Sequence, residues 1–164
     1  IVHADAKTPL RDGLPESLED IVATYGHRHF KLKVGGDVLA DLDRLGRIAA
    51  VLDHIAEPYV VTLDGNEQYQ DVGGVSDLWN RILAAPKLAR LAAATIFIEQ
   101  PIMRSAALEH SVAPLAAAKP LLIDESDGTL DAFPRARSLG YTGVSSKACK
   151  GASQCVKVRS RTAV

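Results

Sequence analysis

Aromatic residues are scarce in this 164-residue chain, at 5% of positions, with a single Trp. The scarcity matters most near the C-terminal end. After Asp131 no acidic residue follows, while Arg135, Arg137, Lys147, Lys150, Lys157, Arg159 and Arg161 do. Only Phe133 and Tyr141 accompany these charges, too few for the stacking platform that single-stranded nucleic acid requires. The basic stretch reads as a solvated end, and no nucleic-acid partner is expected. No run of 18 apolar residues occurs, so no membrane span is expected. The opening residues carry no charged-then-apolar leader pattern. Cysteine is limited to Cys149 and Cys155. Two thiols make no disulfide framework, which fits a reducing, cytoplasmic setting. Neither GxGxxG nor GxxxxGK[ST] is present. Gly35-Gly36 follows a strand pattern but lacks the rest of a phosphate loop. The five histidines do not gather at strand ends.

What remains is an ordinary globular composition, 47% hydrophobic and 24% charged with a formal net charge of -1. Short β-rich runs alternate with helical patterns. Ile1-Val2-His3-Ala4 reads as a first strand. Ser17 to Tyr25 reads as a helix, between Pro15 and Gly26. Phe30 to Val34 alternates as a strand does and ends at a Gly-Gly turn. Helical spacing then runs from Asp37, a candidate N-cap, to Ile55. Tyr59 to Leu63 is the next strand. Asp77 to Ala94 reads as helix interrupted at Pro86. Thr95 to Ile98 is a strand, Ala106 to Ala118 a helix with a break at Pro114, Leu121 to Ile123 a strand, Leu130 to Leu139 a helix, and Tyr141 to Ser145 a last strand.

This predicts about six strand–helix units of an α/β protein, with strands apolar enough to be covered on both faces. An open doubly wound sheet and a (β/α) TIM-like barrel both fit. The expected organisation is a partial barrel over 1–151 and an irregular basic tail over 152–164.

Charge falls at strand ends. Asp64, Glu99 and Asp124 each directly follow an apolar strand. In a parallel barrel such positions meet at one mouth, where they repel one another unless neutralised. A hard divalent cation with oxygen ligands neutralises them, and magnesium is the natural choice, with manganese as an alternative. Carboxylates also follow strands simply as helix N-caps, but Glu99 is a poor cap type. Lys31 and Lys33 lie two apart on a strand and share a face. Lys147 lies just past the last strand, at the same mouth. Crowding and desolvation are expected to lower these lysine pKa values from about 10.4 toward neutrality, making them bases.

Five segments carry a resemblance: Phe30-Lys31-Leu32-Lys33-Val34-Gly35, Asp64-Gly65-Asn66-Glu67, Ile98-Glu99-Gln100-Pro101, Asp124-Glu125-Ser126 and Lys147-Ala148-Cys149-Lys150-Gly151. In this order they resemble the enolase superfamily. The likeness is to its mandelate racemase/muconate lactonizing enzyme family, especially the subgroup with Lys-x-Lys on the second barrel strand and a lysine on the sixth. The resemblance implies that Asp64, Glu99 and Asp124 bind magnesium. It further implies that Lys33 and Lys147 are acid/base residues on opposite faces of the substrate, and that Lys31 supports Lys33 and the substrate carboxylate. Asn66 and Glu125 match positions whose hydrogen bonds orient the ligands. The implied reaction removes a proton next to a carboxylate and stabilises the enediolate, as in racemases, epimerases, cycloisomerases and lyases.

The chain departs from this family in lacking the N-terminal capping domain and the later barrel strands. A truncated copy or a fragment of a longer protein is therefore expected, with exposed sheet edges that make it inactive alone or a homo-oligomer. Two other readings stay open. One is a Schiff-base aldolase with Lys147 as nucleophile. The other is a non-catalytic remnant of a proton-transfer enzyme.

Overall fold

The computed structural model describes residues 2–5 and 12–147. The tail 152–164, the boundary at 151, Lys150 and both cysteines lie outside the described residues.

Helix α1 (Leu18–Tyr25) starts where its sequence supplies a capping box: the Ser17 hydroxyl accepts from the Asp20 amide, and the Asp20 carboxylate accepts from the Ser17 amide. Gly26 ends it in the left-handed region at φ 62°. Strand β1 (His29–Lys33) leads to α2 (Val38–Leu52), capped by the Asp37 carboxylate, which accepts from the Leu39 and Ala40 amides. Strand β2 (Val60–Asp64) is followed by α3 (Val72–Ala84), a 3-10 turn at Pro86–Leu88 and α4 (Ala89–Ala94). The interruption predicted at Pro86 is present. Helix α3 begins earlier than the predicted Asp77, because the Asp71 side chain caps it by accepting from Gly74 N; Gly73 and Gly74 conceal this start in the sequence.

Strand β3 (Thr95–Glu99) leads to two short helices, α5 (Arg104–Ala107) and α6 (Ala113–Ala118), so the interruption lies ahead of the predicted break at Pro114. Pro114 does not break α6 but stands in its first turn, where a missing N–H costs nothing. Strand β4 (Leu121–Ile123), α7 (Ala132–Ser138) and β5 (Gly143–Val144) complete the order.

The five strands form one parallel sheet in sequential order, β1-β2-β3-β4-β5. This is the arrangement of a partial TIM-like barrel, each strand joined to the next through helix. Of the six expected strands, the first, from Ile1 to Ala4, does not form among the described residues: His3–Asp5 make a 3-10 turn, in which the Asp5 carboxylate accepts from the Val2 amide 3.0 Å away. A local side-chain bond here satisfies backbone that a strand would have paired.

Helices pack on one face of the sheet. Val61, Leu63, Ile98, Leu121 and Ile123 are buried there against Leu45, Ala49 and Leu52 of α2 and Leu78, Trp79 and Ile82 of α3. Trp79 is 2% exposed and packs in this core, and the Lys119 ammonium lies 4.8 Å over its ring. The opposite face is only partly covered. In β1 the pattern alternates, with Phe30 and Leu32 buried and Lys31 and Lys33 exposed. Burial on both faces, as the apolar strands suggested, therefore does not hold among the described residues.

Candidate active site

Parallel strands bring every strand C-terminus to one edge of the sheet. Lys33, Asp64 and Glu99 lie directly alongside one another in register across β1, β2 and β3. Asp124 follows β4, and Lys147 lies beyond β5. The sequence-predicted residues thus meet at one mouth.

The three carboxylates are buried, Asp64 and Asp124 at 3% exposure and Glu99 at 4%. Lysines neutralise them. Lys31 Nζ donates to Glu99 Oε2 at 2.6 Å and stands 2.8 Å from Asp64 Oδ2. Lys33 Nζ donates to the same Asp64 Oδ2 at 2.6 Å and also to Asn66 Oδ1. Lys147 Nζ donates to Asp124 Oδ2. Asp64 Oδ1 accepts from the Asn66 amide at 2.9 Å. Asn66 therefore orients both Asp64 and Lys33. The Oε1 of Glu99 and the Oε2 of Glu125 are buried without a hydrogen-bond partner among the described residues.

For Lys31 and Lys147 these contacts reverse the expected direction of the pKa shift. Burial pulls Lys31 down, but its hydrogen bonds to Asp64 and Glu99 outweigh this and hold it above its ordinary value. The hydrogen bond to Asp124 likewise raises Lys147. Along the sequence lysine neighbours lysine, but the fold sets each ammonium against a carboxylate. Asp64 responds in kind: burial pushes it up, yet Lys31, Lys33 and the Asn66 amide together hold it below the usual carboxylate range.

The donor chemistry suits a hard cation, since every candidate ligand is an oxygen and one buried oxygen of Glu99 has no partner. As the side chains stand, however, no group of three or more His, Cys, Asp or Glu among the described residues is arranged to hold a metal ion. The Lys31 ammonium stands between Asp64 and Glu99, while Lys33 and Lys147 pair with Asp64 and Asp124.

Two features escaped the sequence reading. Glu67 and Arg104 form a two-pronged ion pair across the β2 and β3 loops, with Nε–Oε1 at 2.8 Å and Nη2–Oε2 at 2.6 Å. Gln100, 1% exposed, ties the end of β3 to the segment after β4 through its side-chain amide. Glutamine beside Glu99 gave no signal, because an amide reveals its role only through partners distant in sequence. No helix among the described residues is long and apolar enough to cross a membrane.

The family described as "Enolase C-terminal domain-like" matches residues 13–161. No curated protein sequence matches. Among solved structures, a mandelate racemase/muconate lactonizing protein from Herpetosiphon aurantiacus is similar, at 23% identity and TM-score 0.68, over 87% of this chain and 38% of that one. A muconate lactonizing enzyme from Pseudomonas fluorescens, complexed with muconolactone, is 26% identical with TM-score 0.62, over 87% of this chain and 38% of that one. The muconate lactonizing enzyme from Pseudomonas putida is 19% identical with TM-score 0.63, over 85% and 37%. The chain spans less than two fifths of the length of these structures. With the family match covering nearly all of its residues, including each strand-end carboxylate and each of the three lysines, the chain belongs to the enolase C-terminal domain-like family.

Proposed function

We propose that this chain carries the proton-transfer half of a metal-dependent site that removes a proton next to a substrate carboxylate. The observation that carries the reading is the convergence of three lysines on three buried strand-end carboxylates. Lys31 and Lys33 approach from β1, and Lys147 approaches from beyond β5. A flat substrate lying over the mouth would meet acid/base groups from both sides, with Lys33 on one and Lys147 on the other. That arrangement permits racemisation or epimerisation, and with other substrates cycloisomerisation or elimination. Asn66 fixes Lys33 through its side-chain oxygen. Lys31 places positive charge where the substrate carboxylate would sit.

Asp64, Glu99 and Asp124 would hold Mg2+, or Mn2+ in its place. When bound, the cation would offset the negative charge of these carboxylates, which the lysines now balance, and the further negative charge that a substrate carboxylate would gain as its neighbouring carbon loses a proton. A lysine can act as base only after giving up its own proton, so Lys33 and Lys147 must first part from Asp64 and Asp124. The substrate class we assign is a small organic carboxylate. The muconolactone complex of the similar Pseudomonas fluorescens enzyme supports it.

A second reading, a remnant that keeps the fold without catalysis, draws on the lysine ion pairs that each of the three carboxylates makes. A Schiff-base role for Lys147 leaves the three buried strand-end carboxylates without a purpose and gains no support from them. Calorimetric titration of Mg2+ into the chain, beside Asp64→Ala and Glu99→Ala, separates the first two readings. Saturable binding lost in both variants supports the metal site and justifies screening carboxylates for exchange of the adjacent proton in deuterated water. Absence of binding to the folded chain favours the remnant.

A further inference from the structure

The three strand-end carboxylates come from separate strands, so something must fix their spacing. The backbone around them is constrained in one place. Asn66, Glu67 and Gln100 are non-glycine residues with positive φ among the described residues, at 46°, 68° and 32°. All lie in the two loops that follow Asp64 and Glu99. Side chains rarely adopt this conformation, and it persists only where surrounding contacts enforce it.

Gln100 makes those contacts in three directions. Its Oε1 accepts from the Asp124 amide at 2.7 Å and from the Ser126 amide at 3.1 Å. Its Nε2 donates to Ile102 O at 2.7 Å and to Ser126 Oγ at 2.7 Å. The side-chain amide thereby fills its donor and acceptor capacity in a buried setting. Its backbone N–H donates to Leu122 O at 2.8 Å, and its carbonyl accepts from Glu67 N at 2.9 Å. Gly65 completes the clamp. A Cβ there would stand 2.3 Å from Pro101 Cα, so only glycine lets the loop after Asp64 lie against the segment after Glu99. One residue is thus covalently next to Glu99, hydrogen-bonded to the main chain of Asp124, and hydrogen-bonded to the loop that carries Asp64.

We infer that Gln100 is a positioning residue, which sets the separation and aim of the Glu99 and Asp124 carboxylates from outside the site. The role in metal and substrate binding rests on the function proposed above; the role in placing the two carboxylates does not. Gln100 touches no carboxylate oxygen and acts through main-chain bonds. Partners of this kind typically change metal affinity by about 10–100-fold when removed.

The test is carboxyl-carbon NMR of the chain and of Gln100→Met, which keeps the side chain's length and removes its four hydrogen bonds. The control is Thr95→Val, which removes another buried hydrogen bond, to Leu91 O, at the far end of β3. The expected result is displacement of both the Glu99 and Asp124 carboxyl resonances in Gln100→Met, with at least tenfold faster hydrogen exchange at the Asp124 amide, and neither change in Thr95→Val. Unmoved resonances in Gln100→Met, or equal movement in the control, would overturn the inference. If Gln100→Met does not fold, Gln100→Glu decides. That variant keeps an acceptor for the Asp124 amide and should keep its slow exchange, and fast exchange there would also overturn the inference. Mg2+ titration of the same samples reports separately on the proposed function. Failure of the native chain to bind sinks that function and leaves the resonance result to judge Gln100.

Discussion

Lys31 and Glu99 meet across an intervening strand. They belong to β1 and β3, with β2 between them, yet Lys31 Nζ lies 2.6 Å from Glu99 Oε2. On its way the ammonium also reaches Asp64 of β2, at 2.8 Å. One cation thus bridges two buried carboxylates that lie side by side in the sheet.

Lys31→Met should leave Asp64 and Glu99 facing each other with less compensation. Breaking a fully buried pair costs about 3–5 kcal/mol. The Lys31 side chain is 46% exposed, so solvent screening reduces the expected loss to about 1–2 kcal/mol. Urea unfolding at neutral pH and low salt measures it. A loss below about 0.5 kcal/mol would show that Lys33 alone suffices, in keeping with an ordinary exposed ion pair.

Stability should fall at both extremes of pH. Asp64 is held below its ordinary value in the folded chain, so its contribution is present above about pH 4 and is lost as pH falls through the folded value. Lys31 and Lys147 are raised, so theirs is present below about pH 10.4 and is lost as pH rises toward their folded values. Tyr141 acts in the same direction, burial pushing it up to about 12. Circular dichroism from neutral to alkaline pH should show unfolding that sets in above about pH 10. In Tyr141→Phe, which has no phenol to ionise, the alkaline midpoint should move upward even though the bond to Ala107 O is lost. An unchanged or lowered midpoint would remove Tyr141 from the account.

Gly65→Ala should be among the most damaging small substitutions. The added Cβ would sit 2.3 Å from Pro101 Cα and 3.1 Å from Gln100 O, atoms of main chain that cannot rotate away. Overpacking of this kind costs about 1–3 kcal/mol. The expectation is a loss at the upper end of that range in thermal melts. Gly128→Ala is the contrast, because nothing stands within 4 Å of its Cβ position.

Asp41 anchors the other side of the mouth. Its buried carboxylate accepts from Gly35 N, Gly36 N, Arg44 and the Tyr69 hydroxyl, the last at 2.9 Å. Asp41→Ala strands several donors at once and should cost about 3 kcal/mol, since each unsatisfied buried group costs about 1–3 kcal/mol. Tyr69→Phe removes one donor while Asp41 keeps the others, and about 1 kcal/mol is expected. Denaturant midpoints of the two variants check the ratio.

Much of this protein was legible one segment at a time. The helix beginning at Ser17, the N-cap Asp37, the interruption at Pro86 and the alternation of Phe30 to Lys33 depend on neighbours within a few positions, and the structure contains each of them, with Ser17 standing as the cap. The carboxylates at the ends of β2, β3 and β4 were equally plain, because a parallel sheet sends all such ends to one side. Local chemistry also misled. Ile1 to Ala4 has strand-like composition, but Asp5 turns back to the Val2 amide and His3–Asp5 wind into a 3-10 turn. The helix from Ala106 to Ala118 was expected to break at Pro114, but the interruption falls earlier, at 108–112.

The sequence by itself determined which residues carry charge, which face of a strand they share and which end of the sheet they reach, since pleat and chain direction are fixed by the backbone. Only the tertiary structure decided what each charge meets. Lys31 and Glu99 are 68 positions apart, and Gln100 and Asp124 are 24 apart. Protonation, hydrogen-bond saturation and steric clearance depend on through-space distances of a few ångströms, which no periodicity encodes. That is why the sequence could put the lysines at the mouth while giving the pKa shifts of Lys31 and Lys147 the wrong direction, and why the bonds of Gln100 appeared only once the strands stood side by side.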